Sequence, residues 1–410
     1  MTKKLEQWQD LDRKHYLHPF TDYNQLSKQD SRVFTKGEGI YIWDAEGHQV
    51  LDSMSGLWCV NLGYGRTELI EAAHQQMQEL PYYNSFFQCA HPPAIELGEI
   101  LSEIAPDGFS RVFYTGSGSE ANDTVIRMVR RFWQLQDKPD KQIIIARKNA
   151  YHGSTIAAAS LGGMEGMHAQ GAGIPIPNII HIAQPYWFQE GRDQDPNTFG
   201  LAIAEELEKA IDHHGIDKIA AFIAEPIQGA GGGIIPPETY WPAIQRICDD
   251  NEILLVADEV ITGFGRLGEW FGSTTYEIKP DLIAFAKGVT SGYLPLGGVL
   301  VNDKVADILI EKGGEFIHGF TYSGHPVSCA VAIANIKALA EDNVIETVKD
   351  HTAPYLAKRW QSLIDHPIVG EARVRGLVAA LELCKDKKTG KRFAAEHNVG
   401  SLCRDLAIEN

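Results

Sequence analysis

Seven short apolar runs constrain this chain more than any other feature of it. They are Arg111–Thr115, Gln142–Arg147, Ile179–Ala183, Ile219–Glu225, Ile253–Val260, Asp281–Lys287 and Leu296–Asn302. Each is rich in β-branched residues and lacks the alternation of a strand with one wet face. Such runs read as strands covered on both faces, as in a parallel sheet. Helical periodicity separates many of them, over Glu120–Trp133, Leu201–His213 and Glu238–Asp249. The alternation predicts an α/β domain with a mostly parallel seven-stranded sheet. Ligands of such sheets bind beyond the carboxyl ends of the strands, so chemistry is expected there.

The two ends of the chain read differently. Gly39–Asp52 has the pattern of a hairpin around Ala45-Glu46-Gly47, with Trp43 and Val50 in its arms. Beyond Gly324 the pattern is helical through Trp360, and Gly370–Glu382 reads as a strand pair before a polar turn at Lys385–Lys391. We therefore expect a large domain over residues 76–335 and a smaller α+β domain built from residues 1–75 and 336–410. Gly400–Asn410 reads as a helix with no stop signal, which suggests a missing C-terminal segment.

Composition removes several classes of function. A hydrophobic share of 44% over 410 residues fits a soluble multi-domain protein. A net charge of −17, with no basic run, argues against a nucleic-acid or anionic-membrane partner. The N-terminus is too charged for a signal peptide. The longest uncharged stretches, Gly166–Gln189 and Ile317–Ile336, are broken by Gly, Pro, His and hydroxyl residues, so they make poor membrane spans. Six scattered cysteines read as buried reduced thiols rather than a disulfide framework or zinc site. Cytoplasm is the expected location.

Three constellations stand at strand ends. In Tyr114–Asn122 (YTGSGSEAN), two glycines allow close backbone approach, and the first helical turn offers free N–H groups to an anion. Ser117 and Ser119 add hydroxyls suited to a phosphate. The spacing is neither a Walker loop nor Gly-x-Gly-x-x-Gly. A plain strand-to-helix turn with a Ser N-cap explains the same residues equally well. The second is Asp258-Glu259-Val260, closing an apolar strand. Asp258 and Val260 fall on one face of that strand, whereas Glu259 fits a solvated strand-end acid. The third is Lys287, which ends the run Asp281–Ala286 ahead of a glycine-rich segment. A desolvated lysine loses basicity and becomes a nucleophile or Schiff-base former, although a lone lysine is usually a surface charge. One cofactor accounts for all three: pyridoxal phosphate has an aldehyde for a lysine, a phosphate for a helix N-terminus and a ring nitrogen for an aspartate.

With these residues in place, the sequence resembles the class III pyridoxal-phosphate aminotransferases from about Phe20 onward. The resemblance rests on GSGSEAN (Gly116–Asn122), AYHGST (Ala150–Thr155), EPIQGAGG (Glu225–Gly232), ADEVITGFGR (Ala257–Arg266), AKG (Ala286–Gly288) and HGFTYSGHP (His318–Pro326). Within the class it is similar to the ω-amine:pyruvate branch, through HPFTDYNQL (His18–Leu26), GLWCVNLGYG (Gly56–Gly65), HIAQPYWF (His181–Phe188) and TYWP (Thr239–Pro242).

The resemblance implies fold type I of the pyridoxal-phosphate-dependent transferases, the fold of aspartate aminotransferase. It implies Lys287 as the lysine that bonds to pyridoxal 5'-phosphate and shuttles the proton, and Asp258 as partner of the ring nitrogen. Val260 would press on one ring face and Tyr151 would stack on the other, beside His152. Ser117, Gly118 and Ser119 would bind the phosphate, and Glu225 would sit on the ring's hydroxyl side. Thr321 would reach the phosphate of a neighbouring subunit, which implies a homodimer or a dimer of dimers. Trp58, Phe86 and Tyr151 would form an aromatic substrate pocket, with Phe86 lent by the partner. The implied reaction moves the amino group of a terminal amine such as putrescine to pyruvate. The same motifs also serve ornithine, GABA and β-alanine aminotransferases and an aminomutase, and a non-catalytic cofactor binder is the reading from another class. Relatives continue beyond the position of Asn410 and supply an arginine for the keto-acid carboxylate.

Overall fold

The structure is a computed structural model that describes residues 4–409. Its centre is a seven-stranded sheet of β4 (Phe109–Thr115), β5 (Ile143–Arg147), β6 (Ile179–Ile182), β7 (Ile219–Ala224), β8 (Leu254–Asp258), β9 (Leu282–Phe285) and β10 (Gly297–Asn302). The order across the sheet is β4-β10-β9-β8-β7-β5-β6. All neighbours run parallel except β10, which is antiparallel to both β4 and β9. These strands are the seven predicted runs, with ends shifted by a few residues at most.

Strand parity divides the core between the two sheet faces. Ile144, Ala146, Ala221, Ile223, Leu254, Val256, Leu282 and Ala284 pack on one face against α2 (Gly118–Leu135). Ile143, Ile145, Phe222, Ala224 and Leu255 pack on the other against α3 (Pro196–His214) and α4 (Tyr240–Asp250). On that second face, towards the β4 side, Ile283, Phe285 and Leu300 meet α1 (Pro92–Ile104) and α5 (Pro326–Glu341). Covering both faces removes any need for polar alternation, which is why the strands read as continuous apolar runs.

Parity also aims the polar residues that follow. Asp258 shares its parity with Leu254 and Val256, and Glu225 shares its parity with Ala221 and Ile223, so both carboxylates belong to the α2 face. Glu259 has the opposite parity, and here the solvated-acid expectation fails. It is fully buried. Its carboxylate accepts from the Gly272 N–H at 2.8 Å and the Ser273 N–H at 2.5 Å, and from the Thr262 hydroxyl. Burial pushes its pKa up, opposed by those donors. Glu259→Ala is expected to cost about 2–4 kcal/mol, because it strands three buried donors. Urea unfolding of the variant checks this.

Two smaller sheets flank the chain ends. Strands β1 (Phe34–Glu38), β2 (Tyr41–Asp44) and β3 (Gln49–Leu51) form one, which adds an unforeseen strand to the predicted hairpin. Strands β11 (Val369–Arg375), β12 (Val378–Asp386) and the two-residue β13 (Lys391–Arg392) form the other. The predicted C-terminal helix spans Val399–Glu409, and Asn410 lies outside the described residues. Only Cys248, Cys329 and Cys384 fulfil the expectation of buried thiols; Cys59 and Cys89 are half-buried and Cys403 is exposed. Among the described residues, no helix is long and apolar enough to cross a membrane.

Candidate active site

Strand ends β4, β5, β7, β8 and β9 converge on one cavity of about 380 Å³. Ser117, Gly118, Ser119, Tyr151, His152, Glu225, Asp258, Val260 and Lys287 line it together, as the sequence predicted.

The α2 end is built to leave amides unpaired. Ser117 is its N-cap, accepting from the Glu120 N–H at 3.2 Å, and the Glu120 carboxylate accepts from the Gly116 N–H at 2.6 Å. The first-turn amides of Gly118 and Ser119 have no intrahelical acceptor. They sit at the positive end of an 18-residue helix, a ready anion site. Glycine is required at 118, since a Cβ there would lie 2.9 Å from Val260 Cγ2. The Ser119 hydroxyl accepts from the Ser154 N–H at 3.0 Å, which fixes its oxygen and leaves its proton for a ligand. Of the two readings of this turn, N-cap and anion cup, the structure supports both at once.

Asp258 is 4% exposed at the end of β8. Its Oδ2 accepts from His152 Nδ1 at 2.7 Å and from Asn122 Nδ2 at 2.8 Å, and its Oδ1 accepts from the Val260 N–H at 3.1 Å. Val260 itself lies beyond the strand but still lines the cavity. Glu225, just past β7, accepts from the Tyr151 N–H at 3.1 Å and the Gly229 N–H at 2.8 Å. Burial pushes its carboxyl above the usual range; His152 and Arg147 pull it down, and Asp258 adds to the rise. Beneath it the fully buried Arg147 donates to the Glu225 carbonyl at 2.5 Å, with Tyr240 and Trp241 on its flanks. The Tyr151 hydroxyl pairs with Ser154 Oγ at 3.0 Å.

Lys287 departs from the expectation of a strand-end residue. The strand stops at Phe285, and Lys287 opens a 3-10 turn, Lys287–Thr290, with φ +49°. A left-handed non-glycine residue costs about 1–2 kcal/mol, so the turn must be held from outside. Asn335 of α5 holds it, donating to the Gly288 carbonyl at 2.9 Å and the Val289 carbonyl at 3.0 Å and accepting from the Ser291 hydroxyl at 2.6 Å. Burial keeps the Lys287 ammonium below the usual lysine range, against the opposing pull of Asp258 and Glu225. A larger share of neutral amine follows, the form that attacks a carbonyl.

Three predicted residues stand outside this cavity. Trp58 is half-buried with φ +56°, and its neighbours Leu57 and Cys59, not the indole, line the wall. Phe86 packs near Gly319, where a Cβ would meet its ring at 2.8 Å. Thr321 is exposed, its carbonyl accepting from the Tyr82 hydroxyl at 2.7 Å. The sequence reading gave no role to Asn335, Cys59 or Arg147. Asn122, the last residue of GSGSEAN, and Cys59, within GLWCVNLGYG, lie in motifs, whereas Asn335 and Arg147 do not.

Once a lysine on the turn beyond one strand and a carboxylate at the end of its neighbour are seen on one cavity with a helix N-terminus, the class follows: a fold type I transferase that uses pyridoxal phosphate. The chain belongs to the class-III aminotransferase family, whose family model matches residues 23–407. It is 59% identical over 407 residues to putrescine–pyruvate aminotransferase of Pseudomonas aeruginosa, covering 99% of this chain and 89% of that protein. An (S)-enantioselective omega-transaminase from Thermomicrobium roseum superposes with a TM-score of 0.94 at 42% identity, over 98% of this chain and 89% of that one. The omega transaminase of Pseudomonas jessenii in complex with PMP gives 0.91 at 41% identity, over 94% and 85%. The protein is therefore a pyridoxal-phosphate-dependent aminotransferase, taking an amine donor and a keto acid.

The residues present fit that cofactor. The Gly118 and Ser119 amides with the Ser117 and Ser119 hydroxyls suit a phosphate, and Lys287 suits an aldehyde. Asp258 has acceptor capacity left on Oδ1, and the buried His152 Nε2 has no partner among the described residues.

Proposed function

We propose that this chain moves the terminal amino group of putrescine, or a related ω-amine, to pyruvate, giving an aldehyde and L-alanine. One observation carries the reading: Lys287, Asp258, Glu225 and the α2 N-terminus line a single cavity in a chain 59% identical to a putrescine–pyruvate aminotransferase.

Bound there, pyridoxal phosphate supplies an aldehyde for amines and a ring that accepts the electrons of a developing carbanion. Lys287 Nζ would hold the aldehyde, and when free it would hold and move the substrate proton, as base and then acid. Burial lowers its basicity and so raises the share of neutral amine that can act as base. Asp258 would stabilise a proton on the ring nitrogen. Val260 and Tyr151 would flank the ring, and Ser117, Gly118 and Ser119 would hold the phosphate. Glu225, fixed by the Tyr151 and Gly229 amides, orients the ring's hydroxyl side.

Thr321 and Phe86 complete the site of a second copy, making a homodimer or a dimer of dimers. Their placement supports this. Both lie outside their own chain's cavity, beside Phe87 at 87% exposure and Tyr322 at 64%. A cytoplasmic location is part of the same proposal.

The test is a donor profile, reading alanine formed from pyruvate with putrescine, cadaverine, spermidine, ornithine, GABA or β-alanine. Putrescine is expected to be among the fastest donors, with no turnover lacking external pyruvate. A faster amino acid donor, or turnover without pyruvate, would defeat the putrescine reading. The Trp58 indole stands outside the cavity, so Trp58→Ala tests the aromatic pocket that the resemblance implies: a KM for putrescine raised about tenfold, with cofactor affinity changed less than about twofold, would support it. Unchanged putrescine kinetics would count against the pocket.

A further inference from the structure

We propose that Asn122 is a positioning residue for Asp258, and that through it the protein favours a cofactor bearing a ring nitrogen. The inference rests on the reading of Asp258 given above. Asn122 is fully buried in the second turn of α2. Its Nδ2 donates to the His152 carbonyl at 2.7 Å and to Asp258 Oδ2 at 2.8 Å. Both neighbours only accept, so the amide has one possible orientation: the flipped form would set its oxygen against a carbonyl and a carboxylate. That orientation leaves Asn122 Oδ1 buried without a partner among the described residues. The side chain thus serves its acceptors at the expense of its own oxygen.

A count of lone pairs shows what this does to Asp258. Each carboxylate oxygen offers about two acceptor sites. On Oδ2 the two are taken by Asn122 and by His152 Nδ1 at 2.7 Å. On Oδ1 one is taken by the Val260 N–H at 3.1 Å. One site remains, on Oδ1, for a donor from a ligand. Asn122 therefore fixes the carboxylate's rotation. It also binds the two grips together. Asn122 lies four residues after Gly118 on one helix, about 6 Å along its axis. The helix end that cups an anion and the amide that aims Asp258 move as a single body.

The test compares two cofactors in one protein, so that losses of fold or phosphate grip cancel. The cofactor is stripped from the parent, Asn122→Ala, Asn122→Asp and Asp258→Asn. Each is then titrated with pyridoxal phosphate and with an analogue carrying carbon in place of the ring nitrogen, read by quenching of protein fluorescence. The parent should prefer the nitrogen-bearing form. In Asn122→Ala that preference should shrink about tenfold, the loss of one charge-assisted hydrogen bond, with affinity for the carbon analogue unchanged within about twofold. Asn122→Asp, similar in size, covers the case in which the smaller residue fails to fold; it removes the amide donor shared by the His152 carbonyl and Asp258, so its preference should shrink as well. Equal losses for both cofactors, or no change in preference, would overturn the proposal. A lost preference in Asp258→Asn alone would overturn it while sparing Asp258, whereas a full preference in Asp258→Asn would overturn the Asp258 reading itself.

Discussion

Lys287→Ala is expected to cut alanine formation from putrescine and pyruvate by at least about a thousandfold, the scale of removing a positioned proton-transfer group and nucleophile together. The turn that carries the residue explains why no neighbour can substitute. Lys287 sits at φ +49° on a turn pinned by Asn335, with Asp258 and Glu225 close enough to act on its charge. No other lysine lines the cavity among the described residues. The cofactor should still bind, because the α2 amides, the serines and Asp258 are untouched. Borohydride reduction followed by peptide mapping separates the two effects: it should attach the cofactor to Lys287 in the parent and to nothing in the variant. Full activity in Lys287→Ala would refute the assignment.

Asp258→Asn is expected to lower kcat by about a hundredfold or more, with a smaller change in KM. The replacement amide has one acceptor oxygen where three donors, from Asn122, His152 and the Val260 N–H, now converge on two. Its NH2 group must then face a donor, and the carboxylate proposed to hold a proton on the ring nitrogen is gone. Steady-state kinetics check the split between kcat and KM. A variant with parental kcat would remove Asp258 from the chemistry.

The central sheet was legible because its strands are covered on both faces, so sequence runs such as Ile143–Arg147 and Ile219–Ala224 are apolar throughout. The strand Phe34–Glu38 was not, because its residues are mostly exposed and show no apolar pattern. Within the site, the residues carried by motifs came together, from Ser117 to Lys287. What escaped depends on contacts distant along the chain. Asn122 meets Asp258 across 136 positions, and Asn335 meets Gly288 across 47. Glu259 was misread for the same reason: its donors, Gly272 and Ser273, arrive from a later turn that local sequence does not place beside it. The left-handed lysine escaped because a strand ending two residues early leaves no mark in an apolar run.

The measurement that bears most directly on the proposed reaction is the visible absorption spectrum of the purified protein, taken before and after putrescine, then after pyruvate. A yellow band that bleaches with putrescine and returns with pyruvate is the predicted result, since it shows both half-reactions in one cuvette. A band that putrescine leaves unchanged would contradict the proposed donor, and no band after added pyridoxal phosphate would contradict the assembled site.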